Sequence, residues 1–186
     1  MAAADQLDFF TTASEVYYDV ETQLSADEVG GWGNIHMMRV SVAISWSPGD
    51  GFRRWEEPQM KEFIAYLAKF RKIISFNGDG CDSRVLSAYG DVAEINRNSF
   101  DLLTDLKKKL GRRLKLDSVA QGTLGLGKSA DGLAALRWWK EGKVDQIAAY
   151  CQQDVQVLVD LVAYARKHGH VSYPDLSTLR KVEVTW

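Results

Sequence analysis

Asp19 and Glu21 stand two residues apart in Glu15–Thr22 (EVYYDVET), a segment whose aromatic and β-branched residues alternate with the period of a strand. Alternate residues of a strand share a face, so both carboxylates leave the sheet on the same side. Tyr17, Tyr18 and Val20 around them mark an interior strand. Two neighbouring carboxylates in such a strand repel unless a cation sits between them. A hard divalent ion such as Mg²⁺, which prefers oxygen ligands, resolves the conflict. The alternative is that Glu21 already lies at the strand end, with Thr22 and Gln23 in solvent.

Tyr150 and Asp154 supply a second fragment. Four residues make about one helical turn, so the phenol and the carboxylate project from one face. That face also carries an apolar stripe that includes Ile147 and Leu161, where a carboxylate is costly unless paired or metal-bound. The alternative is a tyrosine satisfied locally and an aspartate at the edge of the stripe. Asp82 is a third acid, placed after the apolar run Lys72–Phe76 by the loop NGDGC. A helix N-cap would account for it equally well.

The elements that must position these groups follow from periodicity. Glu15–Thr22, Met38–Trp46 and Gly51–Glu57 read as three strands of an antiparallel meander, the last two joined across SPGD. Pro58 opens a helix with Met60, Phe63, Ile64 and Leu67 on one face. Lys72–Phe76 is short and apolar, as expected of a buried parallel strand. Helices are predicted over Ser83–Tyr89, Phe100–Leu110, Leu116–Leu124, Leu133–Glu141 and Val144–Lys167. Strands first, then a strand flanked by helices, imply an α/β fold with a mixed sheet.

Composition removes several classes. With 186 residues, 46% hydrophobic and 26% charged, the chain is sized and balanced for one globular domain. Cys81 and Cys151 form neither a disulfide framework nor a zinc spacing, and suit a reducing cytoplasm. No uncharged run exceeds ten residues, and the acidic N-terminal segment is unlike a secretion signal. The 23 basic and 25 acidic residues give a net charge of −2, which neither suggests a general polyanion binder nor excludes local recognition of nucleic acid. Lys107–Lys115 packs six bases into nine residues, fit either to follow a phosphate backbone or to cap a solvated helix end. Trp32, in a glycine loop, could stack on a base. Gly122–Ser129 matches the phosphate-loop pattern GxxxxGKS, but Leu116–Ala120 before it reads as helix, and the mechanism needs a strand there.

Taken in order, Asp19-Val20-Glu21-Thr22, Phe76-Asn77 to Asp82, and Tyr150 to Asp154 resemble the three motifs of DEDD exonucleases. These belong to the ribonuclease H-like superfamily, here in its tyrosine-bearing branch. In detail the motifs are similar to predicted bacterial ribonuclease H-like domains, and the resemblance covers about residues 15 to 167. It implies one domain over residues 1–186, with a five-stranded mixed sheet whose first three strands are antiparallel, flanked by helices. It implies metal-dependent 3′–5′ hydrolysis of single-stranded DNA or RNA through two divalent ions, Mg²⁺ or Mn²⁺. Asp19 would bridge the ions, Glu21 and Asp154 would hold the one that activates water, and Asp82 the other through water. Tyr150 would orient that water, since a phenol with an ordinary pKa near 10 is a poor base. Thr22, Trp32 and Asn77 would face the strand. The alternative is a non-catalytic nucleic-acid-binding module of the same fold; a phosphate-loop nucleotide binder ranks below both. Because the phosphate-loop reading is rejected, Lys128→Ala is expected to leave nucleotide release from a labelled 3′ end near the wild-type rate. A dead Lys128→Ala beside an active Asp19→Ala would reverse the assignment.

Overall fold

The computed structural model describes residues 14–127, 132–176 and 178–186. Five strands form one sheet: β1 (Glu15–Thr22), β2 (Val40–Ser47), β3 (Gly51–Glu56), β4 (Lys72–Ser75) and β5 (Ser99–Asp101). Their order is β3-β2-β1-β4-β5, which puts β1 at the centre. The β1–β2 and β2–β3 pairs are antiparallel, whereas β1–β4 and β4–β5 are parallel. This is the mixed sheet expected, with its antiparallel meander first. The helices are α1 (Met60–Leu67), α2 (Asp82–Leu86), α3 (Ala93–Arg97), α4 (Leu102–Leu110), α5 (Leu116–Leu124), α6 (Gly132–Lys140) and α7 (Val144–His168). Among the described residues, no helix is long and apolar enough to cross a membrane.

Period-two alternation along β1 divides the interior. Val16, Tyr18 and Val20 point to the side covered by α1, where they meet Met60, Phe63 and Leu67. Tyr17 points to the opposite side, packed with Val42, Ile44 and the α7 residues Ile147, Cys151, Val155 and Leu158. Asp19 and Glu21 follow Tyr17 in this alternation and therefore face α7. Buried Glu15 ties the base of β1 to α7. Both of its carboxylate oxygens accept from Arg166 Nη2, at 2.6 and 2.8 Å, and Lys72 Nζ lies 3.6 Å away.

Three elements escape the periodicity reading. Strand β5 has only three residues, and the predicted helix over Phe100–Leu110 absorbed its last two; the helix begins at Leu102 because Asp101 caps it. Helix α3 is a single short turn-like element. A hairpin, β6 (His170–Asp175) with β7 (Thr178–Glu183), follows α7 and packs on α5. That packing also accounts for the first half of the phosphate-loop match. A Cβ on Gly122 would stand 2.6 Å from the Ser172 carbonyl oxygen, so glycine lets α5 touch the backbone of β6. Thr123 Oγ1 donates to Ser172 O and accepts from Ser172 N. These residues are helical, with Gly125 as a left-handed cap, so no strand leads into the pattern. Lys128 and Ser129 lie outside the described residues.

Removing the guanidinium from the buried pair leaves Glu15 with a partly exposed lysine and the Tyr17 hydroxyl. Arg166→Met is expected to lower stability in urea titration by roughly 3 kcal/mol, the low end for breaking a buried ion pair, because Lys72 remains. A loss below about 0.5 kcal/mol, the usual range for surface changes, would show that the pair does not anchor β1 to α7.

Candidate active site

Asp19 and Glu21 from β1 and Asp154 from α7 each offer a carboxylate oxygen, and the three atoms lie within 4.8 Å of one another. All three residues are half-buried. Asp154 reaches β1 because α7 runs along β1 and β2, with its apolar stripe seated on the sheet and Asp154 at the stripe's edge. One turn earlier, the Tyr150 hydroxyl hydrogen-bonds the Asp154 carboxylate. The Tyr150 ring is held edge-on by Trp138, with centroids 6.0 Å apart.

Asp82 is buried nearby but stands outside this tight trio. The N-cap alternative for it is corrected: Cys81 occupies the cap position without a side-chain bond, and Asp82 is the first residue of α2. Its carboxylate instead lies within the field of Asp19 and Asp101. The loop that delivers it is fixed by Asp101, which accepts from Asn77 N at 2.8 Å and Asp79 N at 3.2 Å while capping Leu103 N and Thr104 N. Asn77 adopts a left-handed φ of 71°, a conformation asparagine tolerates. The loop then passes so close to β4 that a Cβ on Gly78 would stand 2.2 Å from Ser75 Oγ. Glycine at that position is what seats the loop.

The electrostatics are those of acids lacking compensation. Burial, opposed by hydrogen bonds from the Cys151 thiol and the Val20 backbone, pushes Asp19 up to about 6. Burial and the charge of Asp19 push Asp154 up to about 8, with Tyr150 pulling the other way and Asp117 adding to the rise. Glu21 is raised well above the carboxylate range by burial and then by Asp19, Asp154 and Asp82. Asp82 is raised likewise by burial and Asp19. Among the described residues, no cationic side chain is a named cause of these four shifts. A crowded, oxygen-only donor set that resists ionisation fits a hard divalent cation.

Residue spacing alone does not bring three further participants to the site. Cys151 is fully buried, with Sγ 3.3 Å from Asp19 Oδ2, and its role is set by a contact 132 residues away in sequence. Asp117, in the first turn of α5, adds its field to Asp154. Asp101 was detectable: an aspartate immediately before Leu-Leu-Thr is an N-cap signal.

Of the remaining candidates, Thr22 donates to the Leu24 carbonyl and lines a cleft of about 660 Å³ with Trp32 and Cys81. Trp32 is 68% exposed. Asn77 Oδ1 accepts from Arg113. His168 and His170 pack around Tyr164, away from the acids.

Asp19 and Asp154 have folded pKa values above the ordinary 3.8. The stability they confer is therefore complete below about pH 4 and is lost as pH rises through about 6 and then about 8. The metal-free melting temperature should fall between about pH 4 and about pH 8, and millimolar Mn²⁺ should restore it more at the alkaline end. A profile identical in Asp19→Asn, and unmoved by Mn²⁺, would show that these acids do not form a cation site.

A family model described as the RNase H superfamily matches residues 16–166. None of the curated proteins matches the chain in sequence. Among solved structures, the chain is similar to the family B DNA polymerase of the hyperthermophilic archaeon Pyrobaculum calidifontis, with a TM-score of 0.60 and 16% identity over 81% of this chain. It spans 24% of that polymerase. It is also similar to the EXO domain of Aedes aegypti Nibbler, with a TM-score of 0.55 and 14% identity over 88% of this chain and 83% of that domain. At such identities the likeness concerns the fold. The family match, by contrast, runs from β1 through the Asp82 loop and along almost all of α7, and by it the chain belongs to the ribonuclease H superfamily.

Proposed function

We propose that the chain is a metal-dependent 3′–5′ exonuclease acting on single-stranded DNA or RNA. The observation that carries this reading is the meeting of Asp19, Glu21 and Asp154 within 4.8 Å. The likeness to an EXO domain supports it. Asp19, Glu21 and Asp154 would hold one divalent ion, Mg²⁺ or Mn²⁺, and Asp19 with Asp82 a second. Cations bound there supply positive charge to the attacking and leaving oxygens of an in-line displacement. Tyr150, bonded to Asp154, would orient the attacking water rather than remove its proton. Trp32 would stack on a base, and Thr22 and Asn77 would face the strand. A module that merely bound nucleic acid would gain nothing from four crowded carboxylates, which repel phosphates.

The test is the initial rate of nucleotide release from a single strand labelled at its 3′ end, with Mn²⁺ at fixed salt. Asp19→Ala should be the least active and Asp154→Ala close behind. Tyr150→Phe should fall on the order of 10²-fold while keeping Mn²⁺ and strand binding. Wild-type protein that releases no nucleotide, or Asp19→Ala as active as wild type, would overturn the proposal.

A further inference from the structure

The basic run Lys107–Lys115 divides once folded. Arg112 pairs with Asp175 at 3.2 Å and lies over the Tyr173 ring. Lys109 sits 3.7 Å from Asp105, on its own helix. Arg113 donates to Asn77 Oδ1, bracing the loop that carries Asp82. Lys107 and Lys108 are exposed in the last turn of α4, where they complement the helix dipole. Lys115 differs from all of these. It precedes α5, is exposed, and lines the cleft that holds Thr22, Trp32 and Cys81.

That cleft adjoins the acids at two points, since Thr22 follows Glu21 and Cys81 precedes Asp82. Its volume of about 660 Å³ falls within the range of ligand-sized sites. Trp32 and Leu133, 68% and 62% exposed, give it an apolar wall unusual on a free surface. Among its described lining residues, Lys115 is the only cation. An apolar wall and one ammonium, beside a cluster of negative charge, match the two halves of a nucleotide: a base to stack and a phosphate to neutralise.

We propose that Lys115 is the phosphate anchor of this cleft, receiving a backbone phosphate of the strand whose base lies against Trp32. The remainder of the basic run is structural. This rests on the exonuclease reading and adds to it the side from which the strand's backbone is held.

The experiment is fluorescence anisotropy of a 5′-labelled single strand with phosphorothioate linkages at its 3′ end, titrated with Mn²⁺-loaded protein over a series of KCl concentrations. Each phosphate neutralised on a single strand contributes about 0.7 to the slope of log affinity against log salt. Lys115→Gln should weaken binding several-fold and reduce that slope by about 0.7. Trp32→Ala should weaken binding with the slope retained, and Lys108→Gln should change neither. An unchanged slope in Lys115→Gln, or an equal change in Lys108→Gln, overturns the assignment while leaving the nuclease reading intact. Wild-type protein that binds no strand overturns both.

Discussion

Carboxylates within 4.8 Å of one another cannot all ionise without a counter-charge, and three meet at this distance on the α7 side of β1 with a fourth close by. Packing around them removes the water that would otherwise screen them. The upward shifts of Asp19 and Asp154 amount to several kcal/mol of unfavourable charge in the cation-free state, taken to order of magnitude. The surrounding structure must be firm enough to hold the acids in spite of this.

The firmness comes from where the acids are attached. Asp19 and Glu21 are paired with Ile44 and Val42 of β2, and the parallel pairing of Glu15–Tyr17 with β4 fixes β1 just before them, so the two acids cannot move apart without disturbing the sheet. Helix α7 is seated on the same face through Ile147, Cys151, Val155 and Leu158, and the Glu15–Arg166 pair ties its far end to the start of β1. Asp82 rides on a loop instead. Backbone bonds to Asp101, the close passage at Gly78 and the brace from Arg113 give that loop the order a strand would have given. Donors held on regular elements and a loop fixed by several bonds are what a preorganised site requires.

How much of this is legible in the sequence follows from which contacts are local. The two periodicities expose Asp19 with Glu21 and Tyr150 with Asp154, because a strand places alternate residues on one face and a helix brings positions four apart together. The meander, the buried strand and the long helix are legible for the same reason, and the family resemblance joins the fragments. Strand β5 is not legible: three residues are too few to display a period, and an adjoining helix signal overwhelms them. The β6–β7 hairpin follows the long helix with no strong turn dipeptide to announce it. Cys151 reads as one more apolar residue in a helical stripe, because its partner lies 132 positions away. Lys115 is hidden among five other bases until folding gives three of them other partners.

If Asp19, Glu21 and Asp154 form a divalent-cation site, manganese will occupy it. Anomalous diffraction from crystals of the protein equilibrated with Mn²⁺ tests this directly. The expected result is a strong peak bonded to oxygens of all three carboxylates, at the roughly 2.0–2.6 Å of hard-cation coordination. Crystals that show no manganese at Asp19, with these carboxylates joined only to one another through shared protons, would contradict it.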